Sequence, residues 1–263
     1  MSEYEFIEVK RNGHVATVFL NRPKQANALH GPIMSELERV SHSFLDDEQT
    51  RVVIFAGHGK HFSAGADLKQ KPGKQKVSTL MRRRQNGLGA RMIRAIHGIN
   101  QVTIAAVQGA ALGGGACIPV ACDFRIGSTD CFMGYPEVTL GINLQWHSLP
   151  LCVHLIGPAR AKKMIMSGRR ENATTLLDWG MLDEVVASDQ LLVRAREMAM
   201  EYASLPPIAV QMIKQSVNMV SSALDHAIMH MDTDQNMLTA GTEDRVEGIE
   251  AYFNKRAPRF TGD

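Results

Sequence analysis

The sequence has almost no excess charge of either sign. Its 29 lysines and arginines are balanced by 27 aspartates and glutamates, so the formal net charge is only +2. Proteins that bind nucleic acid through their surface charge usually carry a clear basic excess. The composition therefore excludes a broad basic surface, and we expect no nucleic-acid partner. Hydrophobic residues still make up 44% of the 263 residues, enough for a sizeable core.

Cysteine is scarce as well. The chain has four cysteines, at positions 117, 122, 131 and 152, and their spacing is not that of a metal site. So few cysteines in a chain of this length indicate reduced, mostly buried thiols, which are typical of cytoplasmic proteins. We therefore expect no bound metal and a cytoplasmic location.

The sequence also lacks an uninterrupted apolar run of membrane-spanning length. Its most apolar segment, Val102 to Cys122, is interrupted by Gln108, Pro119 and several glycines. This composition predicts a buried turn and helix. The first five residues include two glutamates and lack the apolar stretch of a signal peptide. We expect no membrane partner.

Strand and helix patterns alternate in the first part of the chain. Strands are predicted at 6–9, 15–20, 51–56, 103–107, 123–126 and 131–134, and helices at 31–45, before His97 and at 113–121. This alternation predicts an α/β fold. The segment Lys69 to Lys76 is rich in lysine and glutamine and contains Pro72-Gly73. It predicts a loop, acting as a lid beside a pocket or simply as a solvated charged segment.

After about residue 188 the pattern becomes entirely helical. Helices are predicted at 191–203, 207–220, 223–240 and 242–255. The methionines of these helices favour core packing or subunit contact, at positions 198, 200, 212, 219, 229, 231 and 237. We therefore expect a core at residues 1–188 that carries the site, followed by a helical region at 189–263.

Two glycine-containing stretches carry the functional signal, Phe62 to Leu68 and Gln108 to Gly115. Each is expected to leave backbone N–H groups bare at a turn into a helix, where negative charge is favoured. Two such stretches facing each other would hold one oxygen that becomes an anion during a reaction. Glu137, after Pro136, would place a carboxylate within reach of that oxygen. The sequence therefore predicts an enzyme that stabilises an enolate.

Together with several further stretches, these motifs resemble the crotonase superfamily, the enoyl-CoA hydratase/isomerase family, over nearly the whole chain. The further stretches are Asn21 to Leu29, Ala121 to Asp123, Leu140-Gly141 and Glu247 to Arg256. The resemblance implies an α/β crotonase-like spiral of ββα units. It also implies a helical C-terminal region that builds a homotrimer or a dimer of trimers.

The resemblance further implies an acyl-CoA substrate, with coenzyme A as part of the substrate and no separate cofactor. The thioester oxygen would sit between the backbone N–H groups of Ala66 and Gly114, with Glu137 as the catalytic carboxylate. The implied substrate- and CoA-binding residues are Lys24, Ala26, Ala64, Asp67, Leu68, Cys117, Trp146, Tyr252 and Lys255. Lys24 would lie near the CoA phosphates. Asp67 would lie near the CoA adenine, as a cap or to organise the backbone, with no role in proton transfer.

The same resemblance places Tyr252 and Lys255 on one helix face, reaching the CoA of a neighbouring subunit. For Lys24 and Lys255, the alternative is a solvated surface charge.

The chain departs from the family pattern at one catalytic position. Hydratases of the family carry two glutamates, at the positions of Cys117 and Glu137, and only the second is present here. A buried thiol is mostly protonated and is a poor substitute for a carboxylate. The loop Ile142 to His147 also carries a bulky aromatic residue, Trp146, where hydratases usually have small residues. These features favour an isomerase, in which Glu137 alone moves a proton between the α and γ carbons.

Two alternatives stay open. The first is a hydratase, or a hydratase-lyase acting on an aromatic enoyl-CoA. The second is a catalytically weak protein of the same fold that serves for binding or as a scaffold. Two residue roles are open as well. Cys117 is a packing residue or a nucleophile, and His147 is either a second acid or base or a surface or capping residue.

Overall fold

The computed structural model describes residues 4–69 and 77–263. Of the predicted loop at 69–76, only Lys69 therefore falls within the described residues. The strands in these ranges are β1 (Ile7–Asn12), β2 (Val15–Leu20), β3 (Val52–Gly57), β4 (Val102–Val107), β5 (Ala110–Leu112), β6 (Phe124–Ser128), β7 (Phe132–Gly134), β8 (Arg170–Asn172) and β9 (Glu184–Val186).

Helices follow most of the strands. They are α1 (Gly31–Ser43), α2 (Thr79–Asn86), α3 (Leu88–His97), α4 (Gly114–Val120), α5 (Ser148–Ser167), α6 (Ala173–Trp179), α7 (Leu191–Ala203), α8 (Pro207–Ser221), α9 (His226–Met229), α10 (Asp232–Thr239) and α11 (Glu243–Phe253). Within the described ranges, no helix is long and apolar enough to cross a membrane.

The strands form two sheets. The larger has the order β1-β2-β3-β4-β6-β9, and its strands are parallel except for the β1–β2 hairpin. The smaller has the order β5-β7-β8, with β5 and β7 parallel and β7 and β8 antiparallel. Because parallel strands need crossover connections, helices cover both faces of the larger sheet. The α/β prediction is confirmed.

Alternating side chains divide the core between the two faces of the larger sheet. On β3, Val52 and Ile54 pack with Leu191 and Ala195 of α7, whereas the intervening Val53 belongs to the core on the side of α1 and α3. This alternation is the period-2 geometry of a strand buried on both sides. The apolar segment 102–122 is buried throughout β4, β5 and α4, as predicted.

The C-terminal helices differ from the prediction in two places. The helix predicted at 223–240 is divided into α9 and α10, and Asp232 at the start of α10 accepts a hydrogen bond from the His147 backbone N–H (3.1 Å). The last helix ends at Phe253, because Lys255 adopts a left-handed conformation with φ of 53°. The methionines of these helices also differ in exposure: Met198 is buried in the core, whereas Met212 is exposed.

Candidate active site

The two glycine-containing stretches lie side by side. Ser63 donates its backbone N–H to the Ala110 carbonyl (2.9 Å), and Leu112 donates to the Ser63 carbonyl (3.0 Å). Gly65 has a φ of +88°, and a Cβ atom there would overlap the Leu112 carbonyl oxygen. The approach of the two stretches therefore requires glycine at position 65. The predicted pairing of these stretches is confirmed by the geometry.

The Ala66 and Gly114 amides face a common cavity. Leu29 bonds to Gly65 and Asp67 on either side of Ala66, so the Ala66 N–H points away from Leu29. In the described part of the chain, neither amide donates to a backbone carbonyl. Gly114 opens α4 as expected. Ala66 does not lead into a helix, because its backbone is in a bridge beside Leu29 and the next described helix begins at Thr79.

A buried asparagine, which the sequence analysis missed, supports the first stretch. The side-chain amide of Asn27 donates hydrogen bonds to the backbone carbonyls of His58 (2.9 Å) and His61 (2.8 Å). The backbone carbonyl of Asn27 accepts a hydrogen bond from the Ser63 hydroxyl (2.8 Å). Asn27 has a φ of 53°, a conformation that asparagine tolerates better than most residues. In the sequence, Asn27 stands four residues before the start of the helix predicted at 31–45.

Glu137 lies on a 3-10 turn, Pro136–Leu140, with its carboxylate against the second glycine stretch. A Cβ atom at Gly113 would lie only 2.7 Å from Glu137 Oε1, so the carboxylate can approach because residue 113 is glycine. Glu137 Oε2 is buried and has no hydrogen-bond partner among the described residues. Burial raises the pKa of Glu137 to about 7. The group can therefore accept and return a proton near neutral pH.

Cys117 belongs to a buried group behind this carboxylate, with Tyr135, Ser148 and Cys152. The Cys117 thiol donates to the Gly113 carbonyl (3.4 Å). Burial, reinforced by the negative field of Glu137, raises the pKa of the Cys117 thiol well above its usual value. The thiol is therefore neutral, which favours the packing role over a nucleophilic one.

Trp146 fills a slot between two helices. The indole lies against two glycines, Gly89 of α3 and Gly114 of α4. A Cβ atom at either position would collide with the ring. Trp146 is buried and lines the cavity. The ring therefore lies directly against the backbone that carries the Gly114 amide.

An acidic residue of the C-terminal region holds the Trp146 loop. Trp146 and His147 both adopt left-handed conformations, with φ of 67° and 58°. Asp232 accepts hydrogen bonds from both backbone N–H groups. Successive N–H groups in such a turn form a concave site for a carboxylate. Burial raises the pKa of Asp232, which is the expected effect of removing a carboxylate from water.

His147 does not line the cavity. Its ring is buried beside Met229 at the end of α9, and burial lowers its pKa to about 4. The residue sits at the N-terminal cap position of α5, although its side chain makes no capping hydrogen bond. Of the two roles left open for His147, this position favours the structural one.

The cavity has a volume of about 470 Å³. It brings together most of the expected site residues, namely Ala64, Ala66, Leu68, Gly114, Cys117, Glu137, Trp146 and Tyr252. Lys24, Ala26, Asp67 and Lys255 lie outside its lining. Asp67 forms an ion pair with Arg22 (3.2 Å), which agrees with its expected role in organising the backbone.

The predicted helix face shared by Tyr252 and Lys255 is wrong, since Lys255 follows the end of α11. Tyr252 instead lines the cavity of its own chain. The cavity also contains polar residues that the sequence analysis missed, at positions 145, 170, 236 and 245. No motif marked them.

Comparisons with known proteins agree with this geometry. The enoyl-CoA hydratase/isomerase family model matches residues 10–263. The chain is 32% identical to a crotonyl-CoA hydratase of Syntrophomonas wolfei, over 98% of each chain. It is 31% identical to a short-chain-enoyl-CoA hydratase of Clostridium acetobutylicum, over 97% of each chain.

A solved structure extends the match to the fold. The crystal structure of enoyl-CoA hydratase from Bacillus anthracis superimposes with a TM-score of 0.78 at 34% identity, covering 98% of this chain and 100% of that chain. The expected crotonase-like architecture with a helical C-terminal region is thereby confirmed. A match over almost the full length, in sequence and in fold, makes this chain a member of the enoyl-CoA hydratase/isomerase family.

Proposed function

We propose that the chain hydrates a 2-enoyl-CoA through a thioester enolate. The observation that carries this proposal is the buried Glu137 carboxylate in one cavity with the outward-facing Ala66 and Gly114 amides. The two curated relatives described above are both named hydratases, which supports addition of water over the double-bond shift that the sequence alone favoured.

In the proposed reaction, the thioester oxygen accepts hydrogen bonds from the Ala66 and Gly114 amides. Glu137 takes a proton from water as the water oxygen bonds to the β carbon, and the displaced π electrons move onto the thioester oxygen. The enolate then collapses, and Glu137 returns the proton to the α carbon. A pKa near 7 suits both halves of this exchange. Glu137, water and the thioester account for every proton and electron, so we propose no separate cofactor.

A double-bond shift is the second candidate, and one observation favours it. Among the described residues, Glu137 is the only acidic residue that lines the cavity, and the Cys117 thiol is neutral. One carboxylate is sufficient to remove the α proton of a 3-enoyl-CoA and deliver it to the γ carbon. Hydration with one carboxylate instead requires that Glu137 act first as the base for water and then as the acid for the α carbon.

A labelled-water experiment separates these candidates. Purified protein is incubated in ¹⁸O water with 2-enoyl-CoA and 3-enoyl-CoA panels, and the products are identified by mass spectrometry. Hydration yields a 3-hydroxyacyl-CoA carrying the label, whereas the double-bond shift yields an unlabelled 2-enoyl-CoA. A hydratase-lyase would additionally release an aldehyde from an aromatic substrate. Tight binding of the panel without any conversion would refute both candidates and favour the scaffold function.

We further propose that neighbouring copies cover the apolar face of α8, as in a homotrimer or a dimer of trimers. Ile208, Met212 and Ile213 are all more than 60% exposed on this helix, an unusual amount of apolar surface for a monomer. Light scattering of the purified protein measures the oligomeric state directly. A monomer at micromolar concentration would refute this arrangement.

A further inference from the structure

Helix α10 runs along the Trp146 loop. Asp232, at its start, binds the His147 backbone, and Thr239, at its end, donates its hydroxyl to the Asn143 side chain (3.3 Å). Asn236 lies one helical turn after Asp232, on the same face, and therefore beside the middle of that loop. This side chain lines the cavity.

Asn236 is only 6% exposed, yet its side-chain nitrogen has no hydrogen-bond partner among the described residues. Gln145, in the facing loop, also lines the cavity and has a buried, unpartnered amide oxygen. Buried polar groups are almost always satisfied, so two unpaired amides facing one cavity indicate a polar ligand group. Because the described residues supply no hydrogen-bond partner to either end of the Gln145 amide, rotation can present its N–H₂ instead.

Arg245 supplies a charge at the same cavity. Its guanidinium donates to the Leu140 carbonyl (3.1 Å), and in the described ranges it forms no ion pair with a carboxylate. It is partly buried. Arg170 adds a second positive charge to the lining, and Glu137 is the one acidic lining residue in the described part of the chain. An arginine with free donors and no acidic partner is the usual recognition group for a carboxylate.

We propose that Arg245 and Asn236 form a subsite for a carboxylate at the far end of the acyl chain. The subsite belongs to the acyl part of the cavity, because α10, which carries Asn236, and α11, which carries Arg245, both contact segments that carry cavity residues. Arg245 bonds to the turn that carries Glu137, and α10 bonds to the loop that carries Trp146. The preferred substrates are therefore acyl-CoA thioesters of dicarboxylic acids. This inference rests on the proposed enoyl-CoA function, which defines which part of the ligand Glu137 must face.

Calorimetric titration with saturated ligands tests the subsite without requiring turnover. A saturated six-carbon acyl-CoA is compared with the analogue that carries a terminal carboxylate, and with CoA alone. We expect the wild type to bind the carboxylate analogue at least about tenfold more tightly, the size of one charge-assisted hydrogen-bonding contact. Arg245→Met and Asn236→Leu should each remove most of this preference and leave the affinity for CoA unchanged.

Arg245→Lys distinguishes loss of the subsite from a folding defect in Arg245→Met. It keeps the positive charge and should retain part of the preference for the carboxylate analogue. Arg91→Met is the matched control, since Arg91 is exposed and lies outside the cavity. Equal wild-type affinity for the two acyl ligands would overturn the subsite, as would a weaker affinity for CoA alone in Arg245→Met. The labelled-water experiment with apolar 2-enoyl-CoA substrates tests the chemistry separately, so the two failures are distinguishable.

Discussion

Residues 4–69 and 77–188 contribute the two donor amides of the cavity and the catalytic carboxylate of Glu137, whereas residues 189–263 contribute side chains of outer helices. In the first region β3, β4 and α4 are buried at every residue, and they hold the glycine stretches and the amides in place. In the second region α8 has no buried residue. Yet α10 and α11 place Asn236, Arg245 and Tyr252 on the cavity wall.

This difference separates the catalytic step from the selection of the acyl group. Backbone donors cannot be changed by substitution without disturbing the fold, and they suit a step that every substrate shares. Side chains on an outer helix can change without affecting the core, and they suit the recognition of a variable acyl group. Substitutions at Glu137 and at the donor amides of the first region should therefore reduce turnover most, and those in the second region should alter orientation and affinity.

The largest effect is expected for Glu137→Gln. This substitution keeps the shape of the side chain but removes the proton acceptor, and loss of a positioned acid or base costs about a hundredfold to ten-thousandfold in rate. Steady-state kinetics on the substrate found in the panel measure it, with calorimetric CoA binding as the control. Turnover near the wild-type rate would remove Glu137 from the mechanism.

The pH dependence of the wild type follows from the same residue. Because Glu137 must be ionised to take the first proton, kcat/KM should rise with pH and level off above about 7. The free energy of unfolding should instead fall as pH rises. The folded pKa lies above the unfolded value, so ionisation destabilises the fold as pH rises from about 4.5 to 7, by up to roughly 3 kcal/mol. Thermal melts should therefore show Glu137→Gln gaining stability over wild type at pH 8 and not at pH 4.

Gly114→Ala should rank second. The added methyl group would collide with the Trp146 ring and displace either the ring or the amide beside it. Loss of one oxyanion donor typically costs about 3 to 4 kcal/mol of transition-state stabilisation. Gly31→Ala is the matched control, since Gly31 also begins a helix and has open space around it. Equal turnover of the two variants would contradict the proposed position of the thioester oxygen.

The sequence predicted elements of both regions well where the periodicity was strong. Strand β2 in the first region and helix α7 in the second have the predicted bounds, because strong periodicity coincides with clear breaks at Gly13 and Pro206. The catalytic group, Glu137, was predicted because a motif marks it. Arg245 and Asn236 were not, since nothing local distinguishes an inward-facing polar residue on an amphipathic helix from a solvated one. The packing of α10 against the Trp146 loop makes that distinction for Asn236, and the contact of α11 with the turn that carries Glu137 makes it for Arg245.

Asp232→Ala tests whether the helical region controls the orientation of Trp146. The substitution leaves two backbone N–H groups of a left-handed turn without their acceptor, which costs about 1 to 3 kcal/mol when such groups are buried. We expect about a tenfold lower kcat and a changed tryptophan circular dichroism signal. Asp232→Asn should recover part of both, because its amide oxygen still accepts. Asp234→Ala is the control: this exposed residue of the same helix turn pairs with Arg83 outside the cavity. A tryptophan signal that did not change in Asp232→Ala would refute the coupling.

Cys117→Ala should have the smallest effect, although the residue lines the same cavity as Glu137. Its thiol is neutral and is already hydrogen-bonded to the Gly113 carbonyl, so it has no proton-accepting role to lose. Removing one buried sulfur atom leaves a small void, and a cost of about 1 kcal/mol in stability is expected from lost packing. Turnover should stay within about threefold of wild type, since less than 1 kcal/mol of barrier is involved. If turnover fell as far as in Glu137→Gln while the melting temperature changed little, the thiol would have to take part in proton transfer.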